Sequence, residues 1–383
     1  MTQTVRHGPG IFRQLPTALA EAGISRLFVV HGKASFQSSG AAAILESAHG
    51  LAVSYFSDVP ANPEIATVLR CLEAYRLARP QAVLAVGGGS VIDTAKAVLA
   101  FASGAPEADI LANCFDPLPG RPRFIVAPTT AGSGSEATHF AVLYKDGSKY
   151  SIANQGLKPD EVYLDAELTL SCPRALTLAS GADAVCQAVE SCWSRGGTDA
   201  SRALALEALP VLLDNLFIAC DEPGSLSARS AMLRGANLAG QAIDVSKTTA
   251  GHALSYGLTS RYGLPHGLAV LAVMRPLIEL MASKYQHFSV HGSLDDAFVR
   301  FGASFPEAFT AFSEQVWQRM DMKQRSVAVR DCGLNAVAYL VSGVNLERLS
   351  NHPVSLTQDD LDGLYRSILA GLGGQNSREG SHT

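Results

Sequence analysis

An otherwise apolar segment, ADAVCQAVESCW over residues 182–193, carries polar side chains at regular intervals. Asp183, Gln187 and Glu190 are spaced by four and three residues, so a helix would place them one above another on one face. A carboxylate on a buried helix is costly unless it meets a partner or a metal ion. The stripe therefore either lines a functional cleft or belongs to a hydrogen-bond network between helices, and taken alone it favours the network.

Two histidines further along the chain shift this balance toward a metal site. His252 and His266 lie fourteen residues apart in GHALSYGLTSRYGLPHG, a segment too apolar for a plain surface loop. Imidazole is the commonest metal-binding side chain. Together with Asp183 and Gln187, the histidines would form a nitrogen and oxygen site suited to Fe²⁺ or Zn²⁺. Each histidine taken singly is equally consistent with a hydrogen-bonded core residue.

Two loops rich in glycine and hydroxyl groups follow apolar runs. In AVLAVGGGSVIDTAK, the residues Gly87, Gly88, Gly89 and Ser90 separate such a run from a helical segment. Glycines let the backbone approach a phosphate, and a helix N-terminus offers free N–H groups. A tight strand-to-helix turn would explain the run equally well. The second loop, PTTAGSGSEAT over 128–138, would share the same crevice at the carboxyl ends of the strands, so the pair indicates a nucleotide site.

The chain that must position these residues has two parts. Up to about residue 170, short apolar runs alternate with helix-length segments, which is typical of a parallel sheet covered on both faces. The apolar runs are 26–32, 51–57, 82–90 and 123–130. Beyond residue 175, Ala- and Leu-rich helical periodicity replaces the strand signals. We predict an α/β domain over residues 1–174, an all-α domain over 175–372 and a disordered tail over 373–383.

Composition and charge exclude several function classes. A chain of 383 residues, 47% hydrophobic and 17% charged, is suited to a globular protein of two domains. The net charge of −5 lacks the excess of positive charge that is typical of nucleic-acid-binding proteins. No apolar run reaches the roughly 20 residues of a membrane span. The start MTQTVRHGPG lacks a signal-peptide core, and the seven cysteines include no Cys-x-x-Cys pair. We expect a cytoplasmic protein with reduced cysteines.

Four segments in order, GGGSVIDTAK, PTTAGSGSEAT, the Asp183 segment and HALSYGLTSRYGLPHG, resemble the iron-containing (group III) alcohol dehydrogenases over nearly the whole chain. The resemblance implies an N-terminal dinucleotide-binding α/β domain and an all-α C-terminal domain, the fold shared with the dehydroquinate synthases, with hydride transfer at a metal in the cleft. Asp183, His252 and His266 match the family's metal ligands. Gln187 stands where the family has a histidine, and its amide oxygen is a weaker ligand than imidazole.

The resemblance further implies NADPH or NADH as cofactor beside one divalent metal, Fe²⁺ or Zn²⁺. The expected cofactor-binding residues are Gly32, Lys33, Ser35, Asn62, Gly87, Gly88, Gly89, Ser90, Asp93, Thr129, Thr130, Ser133 and Lys149. Many family members carry a ribose-binding aspartate where Gly32 stands. Without that carboxylate a 2′-phosphate is not repelled, and Lys33 would attract it, so we expect NADPH to be accepted.

The segments SKTTAGHALSYGLTS, VVHGKASF and CQAVESCWS are similar to the phosphonoacetaldehyde reductases of phosphonate metabolism. This similarity implies a small anionic aldehyde as substrate, bound by Lys247, Thr248 and Arg261 near the metal. The alternative for Lys247 is a solvated lysine at a helix end. Tyr256, or a relayed water, is the expected proton donor on position alone.

Two other function classes stay open at this level. A dehydroquinate synthase-like or glycerol-1-phosphate dehydrogenase-like enzyme would share the fold. A metal-free nucleotide-binding relative would explain Gln187 at a ligand position. The adjacent glycine and hydroxyl loops favour the alcohol dehydrogenase branch, for which we expect a homodimer.

Overall fold

The structure, a computed structural model, describes residues 3–284, 291–320 and 336–374. The strands are β1 (Thr4–His7), β2 (Arg26–His31), β3 (Ala52–Phe56), β4 (Ala82–Gly87), β5 (Arg123–Pro128), β6 (Phe140–Lys145), β7 (Ser148–Ala153) and β8 (Glu161–Leu164). The helices among them are α1 (Leu15–Glu21), α2 (Ser35–Ser38), α3 (Ala41–Glu46), α4 (Ile65–Ala78), α5 (Gly89–Ala102) and α6 (Glu107–Leu111).

The remaining helices make up the C-terminal part of the chain. They are α7 (Arg174–Trp193), α8 (Asp199–Asp221), α9 (Leu226–Ser246), α10 (Ala250–Tyr262), α11 (His266–Lys284), α12 (His291–Phe298), α13 (Phe305–Arg319), α14 (Ala336–Ser342), α15 (Leu346–Ser350) and α16 (Gln358–Gly374). Residues 375–383, in the expected tail, lie outside the description. The chain thus combines an α/β N-terminal part with a helical C-terminal part, as predicted.

A parallel sheet with strand order β1-β8-β5-β4-β2-β3 forms the N-terminal part. The four predicted apolar runs form β2, β3, β4 and β5. The sequence pattern did not predict the short strands β1 and β8 or the antiparallel hairpin of β6 and β7. Since β4 and β5 are paired in parallel, with Gly87 opposite Pro128, the loops that follow them emerge side by side at one edge of the sheet.

Both faces of the sheet are covered by apolar layers. In β2, Leu27 and Val29 pack in one cluster with residues of α1 and α3. Phe28 and Val30, which alternate with them, pack in the other cluster with residues of α4 and α5. This two-sided burial explains why the strands appear in the sequence as continuous apolar runs rather than as alternating patterns.

The helical part is built around α7, which is buried over most of its length and packs against α8, α9 and α11. By length and composition alone, α8 and α11 are apolar enough to cross a membrane. However, 50% of the apolar window of α8 and 56% of that of α11 are buried inside the protein. Both helices contribute side chains to the same core cluster, so their hydrophobicity is that of core helices.

Close backbone packing holds the loop after β5 against the helical part. A Cβ added to Gly240 of α9 would lie 2.7 Å from Cα of Gly134, so only two glycines fit there. On the opposite side of the loop, the buried Lys96 donates hydrogen bonds to the carbonyls of Ser135 (2.6 Å), Thr138 (2.8 Å) and Phe140 (2.8 Å). Because Lys96 belongs to α5, the loop is fixed between α5 and α9.

Candidate active site

A cavity of about 470 Å³ lies where the loops after β4 and β5 meet helices α7, α10 and α11. Its lining includes these sequence-predicted site residues: Ser35, Asn62, Gly88, Gly89, Ser90, Asp93, Thr129, Thr130, Ser133, Lys149, Asp183, Gln187, Thr248, His252, Tyr256 and His266. One cavity thus joins the two loops to the four expected metal ligands. Clefts of this size between two parts of a chain are common ligand sites.

The glycine turn is shaped for close approach of a ligand. Helix α5 begins at Gly89, and no side chain caps its N-terminus. A Cβ added to Gly89 would lie 2.7 Å from the Ser133 hydroxyl, and one added to Gly88 would lie 3.3 Å from the Thr130 hydroxyl. The Val91 N–H bonds to the Gly88 carbonyl (3.0 Å), but Gly89 and Ser90, at the start of the helix, line a cavity rimmed by hydroxyls, which is an environment suited to a phosphate.

Other members of the predicted cofactor set have structural partners. The Thr129 N–H donates to the Gly87 carbonyl (3.0 Å), which joins the two loops. The Ser90 hydroxyl donates to the Ala61 carbonyl. The Asp93 carboxylate accepts hydrogen bonds from the Ser135 hydroxyl and from the backbone N–H of Val142 (3.0 Å). Asp93 therefore holds the loop after β5, and burial raises the pKa of its carboxyl.

The turn after β2 lies beside the cavity. Ser35 lines it, whereas Gly32 and Lys33 lie outside the lining, and the Lys33 side chain is exposed. A Cβ added to Gly32 would lie 2.3 Å from the Ser35 hydroxyl. Any residue other than glycine at position 32 therefore requires the Ser35 side chain to rotate.

The predicted metal ligands converge on one point. One ligand atom from each of Asp183, His252 and His266 lies within 4.8 Å of the others. Gln187, one turn along α7 from Asp183, donates hydrogen bonds through Nε2 to the Asp183 carboxylate (3.1 Å) and the Ser133 carbonyl (3.3 Å). These bonds leave its Oε1 atom free to act as a ligand.

Unsatisfied buried atoms test whether a metal fits. Within the described part of the chain, Asp183 Oδ1, Gln187 Oε1 and His252 Nε2 are all buried and make no hydrogen bond. Asp183 Oδ1 and His252 Nε2 lie 3.3 Å apart. Buried polar atoms are normally paired, so three unpaired acceptor-type ligand atoms in one place fit a bound divalent cation. The nitrogen and oxygen donors match the preferences of Fe²⁺ and Zn²⁺.

Charges around the ligands favour the forms that bind metal. Burial is the largest influence on the Asp183 carboxyl and raises its pKa, but His252 and His266 outweigh it, so the pKa is lowered. Burial lowers the pKa of His266 to about 3, which keeps that imidazole neutral. For His252, burial is again the largest influence and lowers the pKa, yet the Glu190 and Asp183 carboxylates together raise it to about 9. A cation at this site would take the place of that proton.

Glu190 holds His252 from the side away from the cavity. Its carboxylate pairs with His252 Nδ1 and also accepts from the backbone N–H (3.0 Å) and the hydroxyl (2.6 Å) of Thr249. With Nδ1 occupied in this way, Nε2 is the atom that faces Asp183. The sequence indicated Glu190 as part of the polar stripe, but not this function.

Tyr256 and Lys149 lie together next to the metal ligands. The Tyr256 ring stacks on His266 with 6.1 Å between ring centroids, and the Lys149 ammonium lies 3.4 Å from the centroid of the Tyr256 ring. Burial raises the pKa of the Tyr256 phenol to about 12. For Lys149, burial and then the charge of Arg348 lower the pKa to about 7.

The two cations predicted to bind substrate do not line the cavity. Lys247 forms an ion pair with Glu347 (2.6 Å), and its side chain is 47% exposed. The Arg261 guanidinium stacks over the Tyr339 ring at 4.3 Å. Their neighbour Thr248 does line the cavity. Lys247 and Arg261, expected to face the substrate, are thus each engaged with another side chain outside this cavity lining.

Arg348 lines the cavity instead. It lies in α15, far from the motifs in the sequence, within the polar stretch NLERLS. Nothing in that stretch distinguishes Arg348 from a solvated helix residue, so the sequence alone had no signal for it.

Two family models match the chain. The model for iron-containing alcohol dehydrogenase matches residues 2–166, and the model for the C-terminal region of the Fe-containing alcohol dehydrogenase family matches residues 177–369. Among curated relatives, a 1-propanol dehydrogenase of Citrobacter freundii is 32% identical over 60% of this chain and 60% of its own length. A phosphonoacetaldehyde reductase of Streptomyces viridochromogenes is 33% identical over 62% of this chain and 61% of its own. The chain thus matches about three fifths of the length of these relatives.

Solved structures are similar over almost the full chain. A sulfoacetaldehyde reductase from Bifidobacterium kashiwanohense, determined in complex with NAD⁺, aligns with a TM-score of 0.85 at 28% identity and covers 96% of this chain and 97% of its own. An iron-containing alcohol dehydrogenase from Thermotoga maritima aligns with a TM-score of 0.82 at 29% identity, covering 97% and 98%. The architecture described above is the one these enzymes have.

Proposed function

Because this chain belongs to the iron-containing alcohol dehydrogenase family, we propose that it uses NADPH or NADH to reduce phosphonoacetaldehyde to 2-hydroxyethylphosphonate. One observation carries the proposal: a single cavity is lined by the glycine turn, by the metal ligands and by two cations, Lys149 and Arg348. A cofactor phosphate, a carbonyl group and an anionic head group would each find complementary groups in it. The similarity to relatives named for phosphonoacetaldehyde and sulfoacetaldehyde supports the choice of substrate.

In this proposal the cofactor lies across the two loops. The N–H groups at the start of α5 bind a phosphate, with the hydroxyls of Thr130 and Ser133 beside it. The other residues that the sequence analysis assigns to the cofactor are proposed to bind the rest of it. Since the exposed Lys33 and the small Gly32 place no carboxylate at the ribose, NADPH and NADH are both accepted.

Asp183, Gln187, His252 and His266 would hold one divalent cation, Fe²⁺ or Zn²⁺. Such a cation supplies a Lewis acid that stabilises negative charge on the aldehyde oxygen during hydride transfer. A dihydronicotinamide bound across the two loops would supply the hydride for the carbonyl carbon, whose C=O π pair would move to oxygen. Glu190 keeps His252 oriented throughout, because it fixes Nδ1.

The alkoxide then takes a proton, for which Tyr256 or a water is the donor. With a pKa raised to about 12 by burial, the phenol keeps its proton at neutral pH and is available as an acid. In its protonated form, the Lys149 side chain over the ring would stabilise the phenolate that proton transfer leaves behind. We further propose a cytoplasmic homodimer, in line with the free cysteines among the described residues.

The test is a panel of aldehydes assayed with the purified protein after incubation with Fe²⁺ or Zn²⁺. Phosphonoacetaldehyde, sulfoacetaldehyde and propanal are each offered with NADPH and with NADH. We expect net cofactor oxidation, the highest kcat/KM with phosphonoacetaldehyde, and 2-hydroxyethylphosphonate as the product in phosphorus NMR.

The other outcomes identify the rival functions. Preference for propanal would refute the anionic substrate. Consumption of a phosphorylated sugar acid without net change of the nicotinamide would indicate a dehydroquinate synthase-like enzyme. Nucleotide binding with no metal and no turnover would indicate a non-catalytic relative.

A further inference from the structure

Arg348 is a buried cation that forms no close ion pair with a carboxylate in the described part of the chain; the charge of its neighbour Glu347 reaches it, but that carboxylate pairs with Lys247. It is only 8% exposed, it lines the cavity, and its Nη1 atom makes no hydrogen bond there. Its guanidinium carbon lies 5.5 Å from the centroid of the Phe140 ring. A guanidinium without a carboxylate is costly to bury, which indicates that an anionic ligand completes this site.

The position of Arg348 is on the side of the cavity where reduction would occur. Its charge lowers the pKa of both Lys149 and Tyr256, so it lies within electrostatic reach of both. Tyr256 in turn stacks on the metal ligand His266. Because Arg348 and the metal ligands line one cavity, an anion bound by Arg348 would lie in the same cavity as those ligands.

Short connections fix Arg348 relative to the metal ligands. The Asn345 side chain caps α15 by accepting the backbone N–H of Arg348 (2.9 Å). At the other end of α15, the Asn351 amide donates to the carbonyls of Ser246 (2.8 Å) and Thr248 (3.0 Å). Thr248 lies four residues before His252, so the helix that carries Arg348 is clamped to the segment that carries a metal ligand.

We propose that Arg348 binds the phosphonate of the substrate and thereby determines the preference for anionic over neutral short aldehydes. This inference rests on the proposed function and replaces Lys247 as the residue for the head group. A guanidinium offers paired N–H donors whose spacing matches two phosphonate oxygens. The Glu347 carboxylate pairs closely with Lys247 (2.6 Å), whereas among the described residues Arg348 has no carboxylate at ion-pair distance.

The kinetic test compares Arg348→Ala and Arg348→Lys with Lys247→Ala. Arg348→Ala should lower kcat/KM for phosphonoacetaldehyde by on the order of 10- to 1,000-fold, the range expected for a lost charge-assisted contact. Propanal, which has no head group, should change by less than about 3-fold. Arg348→Lys should recover part of the loss because it restores the charge. Arg234→Ala, at an exposed arginine paired with Glu207, is the matched control.

A binding measurement separates recognition from turnover. Calorimetric titration of the NAD⁺-loaded protein with ethylphosphonate, which lacks a carbonyl, should show binding to the wild type and to Lys247→Ala but at least 10-fold weaker binding to Arg348→Ala. Equal losses for propanal and phosphonoacetaldehyde, unchanged ethylphosphonate affinity, or a selective loss in Lys247→Ala would each overturn the assignment of Arg348. Failure of every aldehyde to oxidise the cofactor would instead refute the proposed function, while the ethylphosphonate titration would still report on Arg348.

Discussion

The Glu190 carboxylate pairs with Nδ1 of His252 from the face opposite Asp183. Both acidic residues belong to α7, separated by two helical turns, and they meet the same imidazole of α10 from two sides. Glu190 is completely buried, and its other oxygen is occupied by Thr249. The polar stripe on α7 therefore both forms a hydrogen-bond network and, through Asp183 and Gln187, lines the cavity, which the sequence presented as alternatives.

Removing the charge of Glu190 should weaken metal binding. Glu190→Gln keeps the shape but no longer stabilises the oriented, electron-rich imidazole, so we expect affinity for Zn²⁺ to fall by about 10- to 100-fold. Competition with a chromogenic chelator measures this without turnover. Glu207→Gln, at an exposed glutamate, serves as the control and should bind as the wild type does. If both variants bound Zn²⁺ with equal affinity, Glu190 would have a structural role and no influence on metal binding.

Replacing Gln187 by histidine should tighten metal binding. Gln187 offers an amide oxygen, and an imidazole is a better ligand for Fe²⁺ or Zn²⁺. Gln187→Ala, which removes the ligand, should weaken binding. The measurement is the metal content of each protein after gel filtration. We expect it to be highest in Gln187→His, intermediate in the wild type and lowest in Gln187→Ala. If Gln187→His bound less metal than the wild type, the result would contradict the assignment of residue 187 as a metal ligand.

Cofactor choice should respond to charge at position 32. Gly32→Asp places a carboxylate beside the expected 2′-phosphate, and repulsion between two charges about 4 Å apart is about 1–4 kcal/mol at a protein surface. The KM ratio of NADPH to NADH should therefore rise by on the order of 10-fold. Gly32→Ala is the matched control, because it displaces the Ser35 hydroxyl in the same way without adding charge. If the KM ratio of NADPH to NADH were similar in both variants, the adenosine ribose of the cofactor would not lie near position 32.

Much of this arrangement could be predicted from the sequence because the signals were local. Strands β2, β4 and β5 are buried, continuous apolar runs, and the glycine turn stands between such a run and a helix. Asp183 and Gln187 are one turn apart on one helix, so their spacing alone placed them together. The hairpin strands FAVLYK and SKYSIA are only half-buried, and their weaker alternation carried less signal.

The long-range features could not be predicted in this way. The expectation for Lys247 relied on its closeness to His252 in the sequence, but its backbone adopts φ 57° where α9 ends. Its side chain instead meets Glu347, a residue one hundred positions away. Arg348 reaches the cavity only because α15 packs back against α10, a tertiary contact with no counterpart in local patterning.

The Gly134 and Gly240 contact should be sensitive to a single methyl group. Gly240→Ala would push a Cβ to 2.7 Å from the Gly134 Cα, and because backbone atoms cannot rotate away, we expect a loss of about 1–3 kcal/mol in the free energy of unfolding. Gly363→Ala, in α16 with nothing within 4 Å, should instead gain about 0.5–1 kcal/mol. Urea unfolding of both variants measures the difference. Stabilisation by Gly240→Ala would contradict the packing described.

The last prediction concerns the stability of the metal-free and cofactor-free protein as the pH changes. Burial and the Arg348 charge lower the pKa of Lys149 from an ordinary 10.5 to about 7. Between these values the unfolded chain binds a proton that the folded chain does not, so this residue makes stability rise with pH. Below about pH 7 both states are protonated, and the cost of burying the ammonium is constant.

Lys149→Met removes that titration. The free energy of unfolding of the wild type minus that of Lys149→Met should therefore rise from pH 7 to pH 9, by at most about 1.4 kcal/mol per pH unit. Urea unfolding at pH 7, 8 and 9 measures it, and Lys145→Met, at a lysine 42% exposed and paired with Glu107, is the control. Because the difference between wild type and variant cancels other titrating groups, a flat or falling difference would mean that Lys149 keeps its proton throughout this range, as a solvated lysine does.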